Sequence, residues 1–205
     1  MLSNLIQFAI VVGLLTMLPG IDTAQVLRSA TVGGPRLAYA TLLGIMAGVW
    51  IWGIGAAIGI SALLLASETA YDIVRFAGAA YLIWLGARIV WAARHPHQLQ
   101  ALRDGDAKTL RNAFTRASVI TITNPKNGLF YIAVLPQFLP ESLSPALGGL
   151  LLSTIHNLEC LIWFSLWIWG THRARTYFSR PRVQQWMERI SGTALVGFGI
   201  AVFFE

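Results

Sequence analysis

The chain has 205 residues, 56% of them hydrophobic and only 12% charged, with a net charge of +6. Soluble domains carry about 25% charged residues, so this balance excludes an ordinary soluble domain and marks an integral membrane protein. One cysteine, Cys160, excludes an intrachain disulfide framework and a cysteine-based metal cluster.

The first apolar segment runs from Leu2 to Leu27. No Lys or Arg precedes it and no small-x-small site follows, so it reads as a membrane helix and not as a cleavable signal. Inside it, Phe8 to Leu18 is followed by Pro19-Gly20-Ile21-Asp22. A proline removes one backbone donor and clashes with the preceding turn, which predicts a helix break at Pro19 and Gly20. A charged side chain deep in a bilayer costs roughly 2.5 to 3.5 kcal/mol on insertion scales, so a functional role is the default for Asp22. It either holds a substrate ammonium or a coupling proton, or stabilises the first turn of the helix that restarts after Pro19.

The second segment, Leu37 to Ala66, is the most apolar. Leu37 to Ser67 has no charged residue over 31 positions, beyond the ~20 needed to span a bilayer. Gly44 with Gly48, and Gly55 with Gly59, are small-xxx-small pairs that permit close helix approach. Trp50 and Trp52 lie deep and either pack or line a cavity. The third segment is Ile73 to Ala93, and a hydrophilic basic stretch from Arg94 to Asn112 follows it.

The fourth segment, Ala113 to Leu139, repeats the first interruption. Phe114 to Thr123 leads into Asn124-Pro125-Lys126-Asn127, and in both segments proline follows phenylalanine by 11 residues. Backbone groups freed inside a membrane must be buried in protein or face a polar cavity. Paired interruptions in two halves of a membrane chain point to a transport site. The amides after Asn124 and Pro125 favour a substrate carboxylate. Lys126 either reinforces that attraction or pairs with Asp22.

The fifth segment, Leu143 to Gly170, carries His156 and Glu159 at i and i+3, neighbouring positions on a helix. With Ser153, Asn157 and Cys160 they form a polar stripe. A proton relay through the histidine and plain interhelical hydrogen bonding both account for it. A metal site from Asp22, His156 and Glu159 lacks a dense ligand motif such as H-x-x-x-H. The sixth segment, Ile190 to Phe204, has 15 residues. That covers about 22 Å, so its helix is expected to start near Gln185 or Trp186.

Of the 15 Lys and Arg, 13 fall in or beside the first, third and fifth connections. Such enrichment marks cytoplasmic loops and predicts that both termini lie outside. His95 and His97 sit in the basic loop and read as solvent-exposed. Three helices on each side of that loop make the second half inverted relative to the first. Arg75-Phe76-Ala77-Gly78 and Arg189-Ile190-Ser191-Gly192 echo each other at corresponding positions. The expected fold is an all-α integral membrane protein. Its six transmembrane helices form two inverted three-helix repeats, residues 1–93 and 113–205 joined by the loop 94–112, with helices 1 and 4 interrupted. No G-x-S-x-G, Walker loop or H-E-x-x-H occurs, so an enzyme is disfavoured and nucleotide does not supply the energy.

The motifs, taken together and in order, resemble the lysine exporter and homoserine/threonine resistance (LysE/RhtB) group of amino-acid exporters. They are Leu18-Pro19-Gly20-Ile21-Asp22 with Arg28 and Gly33-Gly34; Gly44 and Gly48; Gly78-Ala79-Ala80-Tyr81-Leu82; Thr123-Asn124-Pro125-Lys126; Leu135-Pro136-Gln137-Phe138; and Arg189-Ile190-Ser191-Gly192. Ile21 stands where the family pattern usually has a second proline. The resemblance implies export of amino acids or small derivatives across a bacterial inner membrane, driven by the proton gradient. The implied partners are the amino-acid substrate, the coupling proton and the lipid bilayer, with no nucleic acid and no cofactor; a homo-oligomer stays open. Lys126 and the half-helix ends would meet the substrate carboxylate. Asp22, with Glu159 as a second candidate, would take the amine or the proton. Two rivals are a small-cation exporter using Asp22, His156 and Glu159, and a membrane interaction protein without transport.

Overall fold

The computed structural model describes residues 2–18, 20–94, 109–140, 142–170 and 180–204. Among these the chain is helical and has no strand. In order it forms α1 (Leu2–Met17), α2 (Ile21–Ala66), α3 (Glu68–Ala92), α4 (Leu110–Thr123), α5 (Pro125–Val134), a 3-10 turn (Leu135–Phe138), α6 (Pro145–Trp169) and α7 (Pro181–Phe204). Pro19, Glu141, His95, His97, Arg103, Lys108, Arg173 and Arg175 lie outside the described residues.

The 46 residues of α2 are two helices folded against each other. Gly34 adopts φ 71° and ψ −170°, a left-handed φ that a residue with a Cβ tolerates poorly. Pro35 follows and has no N–H to donate. The chain reverses here, and Ser29 Oγ and Thr41 Oγ1 meet across the hairpin at 2.7 Å. Residues 21–33 therefore extend the first apolar segment and residues 35–66 form the second. The boundary expected between Leu27 and Leu37 falls at Gly34.

Glycines set how the helices pack. In the second part of α2, Gly44 sits against Phe114 and Ala117, and Gly48 against Thr121. That segment and α4 thus run in the same direction. It runs opposite to α6, with Gly53 against Gly149 and Ser153, and Tyr39 Oη donating to Ser165 Oγ at 3.0 Å. Gly86 of α3 abuts Gly192 of α7, and Gly199 abuts Ala79 and Ile83, an antiparallel pair. The short α1 is held against α6 and α7; Ser191 Oγ donates to the Leu14 carbonyl at 2.9 Å. Phe8 meets Phe138 edge-on and Phe138 stacks on Phe198, with centroids 5.5 and 5.3 Å apart.

Buried Thr121, Ser153, His156 and Asn157 face inward, while Ile51, Ile58, Trp84 and Ile162 face out. Polar inside and apolar outside is the arrangement suited to a lipid environment. Three helical stretches are long and apolar enough to cross a membrane: Ile21–Leu63, Asp72–Ala92 and Pro145–Trp169. The first includes the Gly34 reversal, so its crossing part follows Pro35. The last helix begins at Pro181, earlier than the expected Gln185, because proline suits the first turn of a helix. Its 24 residues reach about 36 Å, which removes the shortfall of the apolar stretch alone.

A Cβ at Gly86 would collide with the Gly192 carbonyl, whereas one at Gly55 meets nothing within 4 Å. Gly86→Val is expected to destabilise the protein by about 1 to 3 kcal/mol through overpacking, and Gly55→Val far less. Thermal unfolding of the two variants in detergent checks the contrast; equal losses would contradict this packing.

Candidate functional site

Both helix breaks open onto one cavity. The second break has a local cause. The residue before a proline is pushed out of the helical region, and Asn124 sits at φ −73° and ψ 109°. Its side chain then caps the next helix. Asn124 Oδ1 accepts from the Lys126 amide at 3.1 Å, and its carbonyl accepts from the Asn127 and Gly128 amides at 3.1 and 3.2 Å. Lys126 and Asn127 are thereby fixed in the first turn of α5.

The upstream carbonyls need donors as well. Thr121 is four residues before Pro125, so its carbonyl would have received the N–H that proline lacks. Trp52 supplies one. Its indole Nε1 donates to the Thr121 and Ile122 carbonyls at 3.3 and 3.1 Å. Gly128 makes room for the ring, since a Cβ there would lie 2.5 Å from Trp52 Cη2. Trp52 thus spans the break from α2.

At the first break, α1 ends at Met17 and α2 begins at Ile21, with Gly20 extended and its carbonyl accepting the Ala24 amide at 3.0 Å. Asp22 is in the first turn of α2, where the positive end of a helix favours an acid. Gln25 Nε2 donates to its carboxylate at 3.3 Å. Asn127 lines the same cavity, and the Lys126 ammonium acts on the carboxylate electrostatically. The first turns of α2 and α5 therefore confront each other with opposite charges.

The cavity between them measures about 250 Å³. Gly20, Asp22, Asn124, Lys126, Asn127 and His156 supply its polar wall; Ile45, Val49 and Phe164 supply much of the apolar one. Thr16 and Cys160 close one side, with Oγ1 and Sγ 4.0 Å apart. His156 Nδ1 meets Tyr131 Oη at 2.7 Å, and Tyr131 is 1% exposed. That contact fixes the imidazole from α5. A fixed carboxylate, ammonium and amide around one small space can hold a zwitterion by its two ends.

Of the residues singled out from sequence, Asp22, Asn124, Lys126 and His156 line this cavity together with Gly20. Pro125 is at the start of α5 and is not part of the wall, and Pro19 is outside the described residues. Glu159 also stands apart from the wall. Its carboxylate lies against Gly13 of α1, 3.4 Å from where a Cβ would be, and Oε2 is buried with no hydrogen-bond partner among the described residues. The polar stripe on α6 divides among neighbours: Ser153 and Asn157 face α2, the latter donating to the Met46 carbonyl at 3.1 Å, while His156 and Cys160 face the cavity. Among the described residues no group of three or more His, Cys, Asp or Glu is placed to hold a metal ion. Tyr131 and the bridging role of Trp52 carry no local sequence signal; each depends on a residue far away in the chain.

Comparison with known proteins adds to this geometry. The profile of the LysE type translocator family matches residues 14–205. The chain belongs to the LysE type translocator family. This LysE-type chain is 25% identical over 205 residues to the uncharacterized membrane protein YrhP of Bacillus subtilis, covering 97% of this chain and 98% of that one. It is 27% identical over 186 residues to the leucine efflux protein of an Enterobacter species, covering 90% and 87% of the two chains. It is 33% identical over 126 residues to the homoserine/homoserine lactone efflux protein of Salmonella typhimurium, covering 62% and 60%. No solved structure matches.

Replacing Trp52 with phenylalanine keeps an aromatic ring and removes the N–H. Trp52→Phe is expected to lose about 1 kcal/mol of stability, the worth of an ordinary net hydrogen bond. Thermal unfolding in detergent measures it, and wild-type stability would mean that the Thr121 carbonyl has another donor.

Proposed function

We propose that this LysE-type protein exports amino acids or small amino-acid derivatives from the cytoplasm, coupled to the proton gradient. The observation that carries the reading is the cavity in which Asp22 and Lys126, each in the first turn of a restarted helix, face the same small space. The substrate carboxylate is received by Lys126 and the α5 amide end, and the substrate ammonium by Asp22. Without substrate, Asp22 and Lys126 compensate each other, which spares the membrane two unpaired charges. Relatives named as leucine and homoserine efflux proteins support an amino acid as cargo and export as the direction.

The proton is carried by Asp22, with Glu159 as the second candidate; a buried carboxylate oxygen with no partner among the described residues supports the latter. The protein is taken as six spans in two inverted halves, 1–93 and 113–205, with both termini outside the bacterial inner membrane. Alternating helix directions, the matching breaks and the gathering of basic residues in alternate connections support that arrangement.

Asp22→Asn keeps the size of the side chain and removes its charge. In vesicles with an imposed proton gradient, it is expected to cut amino-acid flux at least about tenfold, the scale of one lost charge-assisted hydrogen bond. Protein level and thermal stability are measured alongside. Unchanged flux at normal protein level would remove Asp22 from the mechanism. A competition panel of amino acids in the same vesicles identifies the cargo, and absence of flux for every amino acid would overturn the reading.

A further inference from the structure

A second, larger recess lies away from the transport cavity. It is an open groove of about 920 Å³ between the start of the second part of α2, the start of α4 and the end of α6. Two arginines, Arg36 and Arg111, stand on it from different helices, and both are exposed. Among the described residues neither guanidinium has a hydrogen-bond or ion-pair partner. No acid stands in the first turn of α4 to offset them. Below the arginines the wall is apolar, formed by Leu43, Ala40 and Phe114. Leu43 is 53% exposed and Phe114 39% exposed, so the groove opens outward. Trp169 closes the third side. Its indole donates to Tyr39 Oη at 2.7 Å, and Tyr39 donates in turn to Ser165. A Trp and Tyr pair at a helix end is typical of headgroup depth.

We infer that this groove binds an anionic phospholipid of the surrounding bilayer, its phosphate between Arg36 and Arg111 and an acyl chain along Leu43 and Phe114. The charge pattern selects the ligand. Two exposed guanidiniums above an apolar trough match a molecule with a negative head and a hydrocarbon tail, and basic pockets between membrane helices bind such headgroups. A zwitterionic lipid offers the same tail with no net charge. The groove also borders Gly33 and Pro35, the two residues that flank the Gly34 reversal. A lipid seated here therefore ties α4 and α6 to the hairpin whose first arm carries Asp22.

The test uses full-length protein in neutral detergent, titrated with phosphatidylglycerol or phosphatidylcholine and read by native mass spectrometry and thermal unfolding. Phosphatidylglycerol is expected to give retained adducts and a higher melting temperature, and phosphatidylcholine neither. The double variant Arg36→Gln/Arg111→Gln is expected to weaken phosphatidylglycerol binding about thirtyfold, from about fivefold for each basic residue near the headgroup. Arg36→Lys/Arg111→Lys retains the charges and is expected to keep most of the binding. That variant separates a lost site from a misfolded protein. Arg182→Gln/Arg189→Gln removes the same charge from α7 and is expected to leave binding unchanged. Equal weakening by the α7 pair would mean diffuse surface attraction and overturn the site. Undiminished binding by the groove pair would overturn it too. Inorganic phosphate giving the same thermal shift would make this a free-anion site, and a dimer that excludes lipid would give the groove to a second copy; either outcome rejects the lipid assignment.

Discussion

The constraint on which the site depends is that a broken helix in a membrane must find donors for its freed carbonyls. Pro125 removes an amide that the Thr121 carbonyl would have used. Trp52 replaces it from another helix. This single substitution of an indole N–H for a backbone N–H lets α4 stop inside the protein with the Thr121 and Ile122 carbonyls paired. Once α4 can stop, α5 can restart with Lys126 and Asn127 in its first turn. Once those residues are placed, Asp22 has counterparts. The cavity is thus a consequence of how one backbone vacancy is filled.

The same economy appears in the helix contacts. Gly44, Gly48 and Gly53 bring α4 and α6 to two sides of one α2 segment. Close approach places the α4 end beneath Trp52 and the α6 polar residues beside the cavity. Packing in a bilayer gains little from burying apolar surface, because lipid is as apolar as leucine. Shape therefore decides the arrangement, and glycine supplies it. The polar residues at the contacts, such as Asn157 donating to the Met46 carbonyl, fix which faces meet.

Much of this was legible in the sequence because proline and charge act locally. Asn124-Pro125 announces a break and a cap without reference to anything distant, and the structure has the cap made by Asn124 itself. Asp22 and Lys126 stand out because ionisable groups are rare in apolar segments. Tertiary partners were not legible. Nothing near Trp52 indicates that its indole reaches residues 69 and 70 positions away. Tyr131 reads as one more apolar-segment aromatic until His156 is beside it. The i, i+3 spacing of His156 and Glu159 placed them close together, but it did not reveal that one faces a cavity and the other α1. The connection between Leu27 and Leu37 was legible from Arg28, Gly33-Gly34 and Arg36, but the exact reversal at Gly34 was not, because residues 28–33 are helical and carry the first arm up to it.

That tight reversal has a mechanical corollary. Ser29 and Thr41 meet across it, so the hairpin has a fixed register. The azimuth of the Asp22 carboxylate is then counted backward from Gly34 along a regular helix, at about 100° per residue. Segment length between these two positions works as a gauge. One residue more or fewer would swing the acid, and Gly20, Ile21 and Thr23 beside it, away from Lys126, so the length of this stretch is part of the site.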